Sequence, residues 1–216
     1  MEINISAVAE AVLKAIESNG GISDDTYNIP VGISNRHIHL CREHIDILFG
    51  ENYQLNPIKD LSQPGQYACK ELLTIVGPSL KPIENVRVLG PERSKSQVEI
   101  SRTDSFTLKV KPPVRESGNI VGSAPITIIG PKGVVTLKEG CIIANRHIHM
   151  SLEDGTNFGV KDGDFVTVDA IGERRTRFYD VQVRVDKNFR LEMHLDTDDA
   201  NAAGLKNGSK VKIADK

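Results

Sequence analysis

Cysteine is scarce in this sequence. The three present, Cys41, Cys69 and Cys141, are odd in number, widely spaced and form no Cys-x-x-Cys pair. That argues against a disulfide framework and for a reducing, cytoplasmic compartment. No apolar run approaches the roughly 20 residues that a membrane-spanning helix needs. The opening stretch lacks the basic and long apolar regions of a secretory signal. A net charge of −2 offers no electrostatic basis for nucleic acid or an anionic membrane as a partner. Gly-x-Gly-x-x-Gly and Walker A patterns are both missing, which sets aside nucleotide hydrolysis and dinucleotide redox chemistry. Tryptophan is absent as well.

What remains is an ordinary soluble composition, 39% hydrophobic over 216 residues, long enough to bury a core without disulfides. With 18 glycines and 10 prolines, turns are frequent, and many short Val- and Ile-rich runs lie between them. The fold expected is mainly β. Residues 3–18 are the main exception. Ile5, Val8, Val12 and Ile16 recur at helical spacing and Asn19-Gly20-Gly21 supplies a stop, so an N-terminal amphipathic helix is expected. It serves either as a packing or dimer element or as a detachable targeting helix that docks to a partner protein.

One pentapeptide occurs twice. Asn-Arg-His-Ile-His spans Asn35–His39 and Asn145–His149, and these copies hold four of the six histidines. On an extended strand side chains alternate, so His37 and His39 share one face, as do His147 and His149. A duplicated His-x-His chelate points to one site between two related halves, holding one or two metal ions. The halves divide the chain into residues 1–24 (helix and linker), 25–140 (first repeat) and 141–216 (second repeat). Strands are expected over 29–40, 73–76, 86–89, 97–101, 106–110, 125–129 and 134–137, then over 142–150, 164–170, 178–185, 189–195 and 210–213. Residues 42–49 and 196–203 have helical character. The polar stretch around 58–71 reads as an insertion in the first repeat, where specialised contacts often arise.

Further ligands are sought on strands that correspond between the halves. Gln97-Val98-Glu99-Ile100-Ser101 aligns with Arg190-Leu191-Glu192-Met193-His194, which singles out Glu99 and His194. His44 reads as exposed or as support for the ligands. Arg36 and Arg146 face away from the imidazoles, toward salt bridges. Arg93, in the loop before the Glu99 strand, is suited to holding a phosphate through its bidentate fork. The run Arg174, Arg175, Arg177 reads as a solvent-facing hairpin. A cysteine nucleophile is disfavoured, since Ser151 stands where Cys41 would recur and Cys141 reads as a small buried residue.

Several of these segments resemble one family. Pro30–Leu40, Gly90-Pro91-Glu92-Arg93, Gln97–Ser101, Pro113–Gly118 and Arg146–Met150 look like the PduL-type phosphate acyltransferases, also called phosphate propanoyltransferases. The resemblance covers about residues 28–213. It implies two β-barrels from an internal duplication, capped by short helices, with two zinc ions between them. It also implies reversible transfer of an acyl group, propanoyl or acetyl, between coenzyme A and inorganic phosphate. Carried onto this chain, it suggests that Glu99, His147 and His149 hold one zinc, and that His37, His39 and His194 hold the other. Arg93 would bind phosphate, while Ser34, Lys59, Arg87, Leu89 and Asn201 would form the coenzyme A surface. A homo-oligomer is expected, located in the cytoplasm or inside a bacterial microcompartment whose shell proteins the N-terminal helix would contact. A zinc hydrolase, with water as nucleophile, and a non-enzymatic metal-binding or shell-associated module stay open as alternatives at this point.

Overall fold

The pentapeptides break their strands. A computed structural model describes residues 28–214, so the helix and targeting segment expected within residues 1–24 lie outside the described residues. Strand β1 (Ile29–Ser34) ends before Asn35-Arg36, and β2 (His37–His39) begins after it. The single strand expected over 29–40 is therefore two strands, and they enter different sheets.

The first sheet contains β2, β3 (Pro57–Asp60), β4 (Tyr67–Val76), β5 (Pro82–Gly90), β6 (Gln97–Glu99), β7 (Val114–Arg115), β8 (Ala124–Ile129) and β9 (Val134–Ala144). Its neighbours run β4-β5-β2-β6-β9, and β8 pairs with both β9 and β4, which closes a six-stranded barrel. Strands β3 and β7 attach outside that ring. The second barrel closes in the order β1-β13-β10-β12-β11-β14. It uses β10 (His147–Met150), β11 (Phe165–Ala170), β12 (Thr176–Val185), β13 (Glu192–Asp196) and β14 (Lys210–Ile213).

The boundary expected near residue 140 is thus not a clean cut. Strand β1 precedes the first histidine pair yet completes the second barrel, through Gly32 opposite His194. The end of β9 precedes the second pair yet lies in the first barrel, with Ile142 opposite Glu99. In each repeat the chain crosses between barrels at Asn-Arg, immediately before the histidines.

Burial alternates as closed barrels require, for instance buried, exposed, buried along Ala124–Ile126 of β8. Ile38, Leu40, Ile75, Val88 and Ile128 fill the first core; Ile148, Met150, Val183, Met193 and Leu195 fill the second. Among the described residues four short helices cap the barrels: α1 (Arg42–Phe49), α2 (Arg102–Leu108), α3 (Leu152–Phe158) and α4 (Thr197–Ala203). Helix α2 replaces the strand expected over 106–110, and α3 was not foreseen. Both begin with a capping box that outweighs local β preference: Ser101 with Asp104, and Ser151 with Asp154. Gly130 and Gly133 at the β8–β9 turn let α1 sit close. A Cβ there would lie 2.6 Å from the Leu48 carbonyl oxygen and 2.4 Å from that of Ile47.

The duplication explains the insertion. The histidine pairs are 110 residues apart (147 − 37). Their parallel neighbours, Arg87 and Gln182, are 95 apart (182 − 87). The extra residues of the first repeat therefore lie between α1 and β5, where β3 and the loop 61–66 are found.

Candidate active site

Alternation along β2 and β10 decides where the imidazoles go. Ile38 and Ile148 are buried in the barrel cores, so the histidines flanking each point outward. All four line one cavity of about 770 Å³, to which both barrels contribute. The antiparallel neighbour of each strand adds a third group: Glu99 stands opposite His37, and His194 opposite His147. Two clusters result, His37–His39–Glu99 and His147–His149–His194, each with its donor atoms within 4.8 Å of one another.

The resemblance implied another grouping, in which each ion drew on both repeats. The third group nearest each histidine pair lies on the adjacent strand of the same barrel rather than across the cavity. The internal alignment of Glu99 with Glu192 was two residues out. Glu192 lies opposite His149 as Gln97 lies opposite His39, so the counterpart of Glu99 is His194 itself.

Hydrogen bonds set the donor atoms. Nδ1 of His37 meets the Asn35 carbonyl oxygen at 2.8 Å, and Nδ1 of His147 meets that of Asn145 at 2.7 Å. With Nδ1 donating to a carbonyl, Nε2 is left as a free lone pair. Glu99 accepts through Oε1 from Gln97 Nε2 at 2.6 Å and Ser117 Oγ at 2.7 Å. Its Oε2 is 3.5 Å from His37 Nε2.

These residues fit a metal. Donors on one tetrahedral zinc stand roughly 3.3 Å apart, given zinc–nitrogen bonds of about 2.0 Å. His147 Nε2 and His149 Nε2 are 3.0 Å apart, so that pair and the His37–Glu99 pair bracket this separation. The buried Nδ1 of His149 has no hydrogen-bond partner among the described residues. Burial, then the neighbouring imidazoles, pushes His147 down to about 4 and His149 to about 2, which keeps both in the neutral, ligating form. Burial, then the charge of His37, takes His39 to about 2. At His37 burial is outweighed by Glu99, and its pKa is raised. Burial of Glu99 is likewise outweighed by His37, so the carboxyl is held well below its usual range.

Two further groups line the same cavity. The Arg93 guanidinium donates to Ser117 Oγ at 3.0 Å, and its backbone N–H donates to the Leu40 carbonyl at 2.9 Å. Glu192 accepts from the Ser62 hydroxyl and lies 2.6 Å from His194 Nε2.

Comparison with known sequences decides what kind of protein carries this site. The sequence profile of the phosphate propanoyltransferases matches residues 30–206.

The chain belongs to the phosphate propanoyltransferase family.

It is similar to proteins named phosphate propanoyltransferase from several bacteria. The one from Lachnoclostridium phytofermentans is 57% identical over 87% of each chain. That from Thermotoga maritima is 57% identical over 87% of this chain and 89% of its own. The Clostridioides difficile protein is 44% identical over the full length of both. The chain is an enzyme of the acyltransferase type, as family membership requires.

Of the residues named from sequence, the six ligand candidates, Arg93, Ser34, Lys59, Arg87 and Leu89 all line the cavity. Asn201 does not; it is exposed on α4, whereas Asn207 lines the cavity and accepts from the Ile33 backbone N–H at 2.7 Å. His44 bonds Ser96 Oγ at 2.7 Å and lies outside the lining. Arg36 and Arg146 make the expected ion pairs, with Asp104 at 2.7 Å and Asp199 at 3.6 Å. Arg174, Arg175 and Arg177 are exposed. Sequence reading passed over Arg184, Phe189 and Gln63, which also line the cavity. Arg184 carries no sequence signal of its own and is picked out by its place beside His149 in the parallel register.

Proposed function

We propose that the enzyme transfers a propanoyl or acetyl group reversibly between coenzyme A and inorganic phosphate, at a two-zinc site between its barrels. The observation that carries this reading is the convergence of two three-ligand clusters and the Arg93 guanidinium on one cavity. His37, His39 and Glu99 would hold one ion, and His147, His149 and His194 the other. When bound, zinc supplies Lewis-acid polarisation of a thioester carbonyl and stabilisation of a departing thiolate.

The chain's own groups account for the remaining demands. Arg93 presents a planar fork that matches two phosphate oxygens. Its bonds to Ser117 and Leu40 orient it in advance, so little ordering is required when phosphate arrives. Lys59 and Arg87 offer cations to the phosphates of coenzyme A, with Ser34 and Leu89 beside them. A phosphate oxygen attacks the thioester carbonyl carbon. The carbon–sulfur bond then breaks, coenzyme A leaves with the bonding pair, and the acyl–oxygen bond to phosphate remains. Phosphate is already anionic near neutral pH and needs no strong base once positioned.

Attack is direct, in a ternary complex, without an acyl-enzyme. None of the three cysteines lines the cavity, and burial pushes Cys69 up to about 11 and Cys141 to about 12. Elemental analysis joined to a free-thiol assay tests the proposal. Two zinc ions per chain and thioester cleavage that requires added phosphate are expected. Cleavage at full rate without phosphate would favour a hydrolase instead. Residues 1–24 would carry the enzyme to a microcompartment, which fusing them to a reporter alongside shell proteins tests.

A further inference from the structure

The cavity holds a further guanidinium that the reading above does not employ. Arg184 lies on β12, beside His149 in register, and lines the cavity together with Arg93. Its Nε is 3.1 Å from Glu116 Oε1. Its guanidinium lies over the Phe189 ring, 5.7 Å from the centroid, and that ring packs edge-on against His149 with centroids 4.3 Å apart. Arg93, from the other barrel, donates to Ser117 Oγ at 3.0 Å. Two consecutive residues, Glu116 and Ser117, therefore engage the two arginines, and consecutive Cα atoms are only about 3.8 Å apart. One guanidinium from each barrel converges on a single dipeptide at the cavity wall.

Like charges brought together in a partly buried place favour an anion between them. Burial lowers the pKa of Arg93, Glu99 opposes this, and the charge of Arg184 lowers it further. The carboxylate on Arg184 is loosely held, since the Glu116 side chain is 42% exposed against 24% for Arg184. A phosphate dianion offers more charge and more acceptor oxygens than that carboxylate, so it can take its place.

We infer that Arg93 and Arg184 form a two-arginine clamp for the phosphoryl group, one guanidinium from each barrel, with Glu116 as the partner that phosphate displaces. The inference rests on the phosphate-dependent activity proposed above. Arg184 grips the same ligand in both directions, as free phosphate or as the phosphoryl end of the acyl phosphate.

Steady-state kinetics on the full-length, metal-loaded enzyme test it, with phosphate and propanoyl-CoA varied separately. Arg184→Gln is expected to raise the KM for phosphate about tenfold, the loss of one charge-assisted contact. The KM for propanoyl-CoA and the metal content should stay within about twofold of wild type. Arg184→Lys should recover part of the loss, and Glu116→Gln should lower the KM for phosphate. An unchanged KM for phosphate in Arg184→Gln, or a rise confined to propanoyl-CoA, overturns the clamp. Should Arg184→Gln fold poorly, Arg184→Lys and Glu116→Gln decide. The rise in unfolding midpoint caused by inorganic phosphate alone should shrink in the first and grow in the second, and equal shifts overturn the inference. If wild-type cleavage does not depend on phosphate, the functional reading itself fails. If it does depend on phosphate and these variants match wild type, only the clamp fails.

Discussion

His147 shows how one ligand candidate is prepared: a carbonyl holds its Nδ1, a second imidazole stands 3.0 Å from its Nε2, and burial keeps it neutral. His147→Ala should therefore remove metal and activity together, as elemental analysis and the thiol assay would read. Arg93→Ala differs in kind. It should raise the KM for phosphate about tenfold or more while the metal content stays near wild type, because Arg93 belongs to neither cluster. The same burial makes stability depend on pH. His39, His147 and His149 have folded pKa values below the ordinary 6.5. As pH falls below 6.5, the unfolded chain takes up protons that these residues refuse, so the folded state loses stability. Each contributes about 1.4 kcal/mol per pH unit; the loss from His147 ends near pH 4, while the other two continue toward about 2. His37 is shifted the opposite way and offsets part of this. Urea unfolding of the metal-free protein should give decreasing stability from about pH 7 to about pH 5, and a flat profile would contradict the assignment.

Elements place these residues, and the insertion places more than it first shows. Loop 61–66 reaches from the first barrel to the second. Gln63, only 2% exposed, donates through Nε2 to the Arg190 carbonyl at 3.0 Å and accepts through Oε1 from the Arg190 N–H at 3.1 Å. Replacing it with alanine should cost about 1–3 kcal/mol, as two buried bonds are lost and their partners stranded. Denaturant unfolding would measure this, and the KM for acyl-CoA should rise because Lys59, on β3, lies just before that strap. Much of the element map was legible in the sequence, because period-two alternation and Gly/Pro turns are local signals. The pentapeptide disclosed the paired histidines for the same reason. Helices α2 and α3 were missed where a capping box outweighed β-branched and aromatic residues. The three-residue groupings depend on strand register, which the sequence does not display, and the alignment of Glu99 with Glu192 was two residues out. Arg184 carried no motif of its own and became visible only through its place beside His149.

The whole molecule is built by exchange, since each repeat lends its first strand to the other's barrel. Residues 37–144 contain all six strands of the first barrel, whereas residues 145–214 lack β1 and leave β13 and β14 as open edges. The first fragment should unfold cooperatively on its own. The second should do so only when residues 28–34 are joined after residue 214, where β14 and β1 already pair antiparallel, as β8 and β9 do across their turn. Circular dichroism during urea titration separates these outcomes, and a cooperative 145–214 fragment would refute the dependence on β1. Exchange also ties the two clusters together, because the strands that cross between barrels lead directly into the histidines. The central claim is that this shared cavity joins an acyl group to phosphate. Phosphorus NMR of the metal-loaded enzyme with propanoyl-CoA and phosphate tests it most directly. The account predicts an acyl phosphate resonance that grows in step with free coenzyme A. Free coenzyme A accompanied by propanoate, with no acyl phosphate at any time, would contradict it.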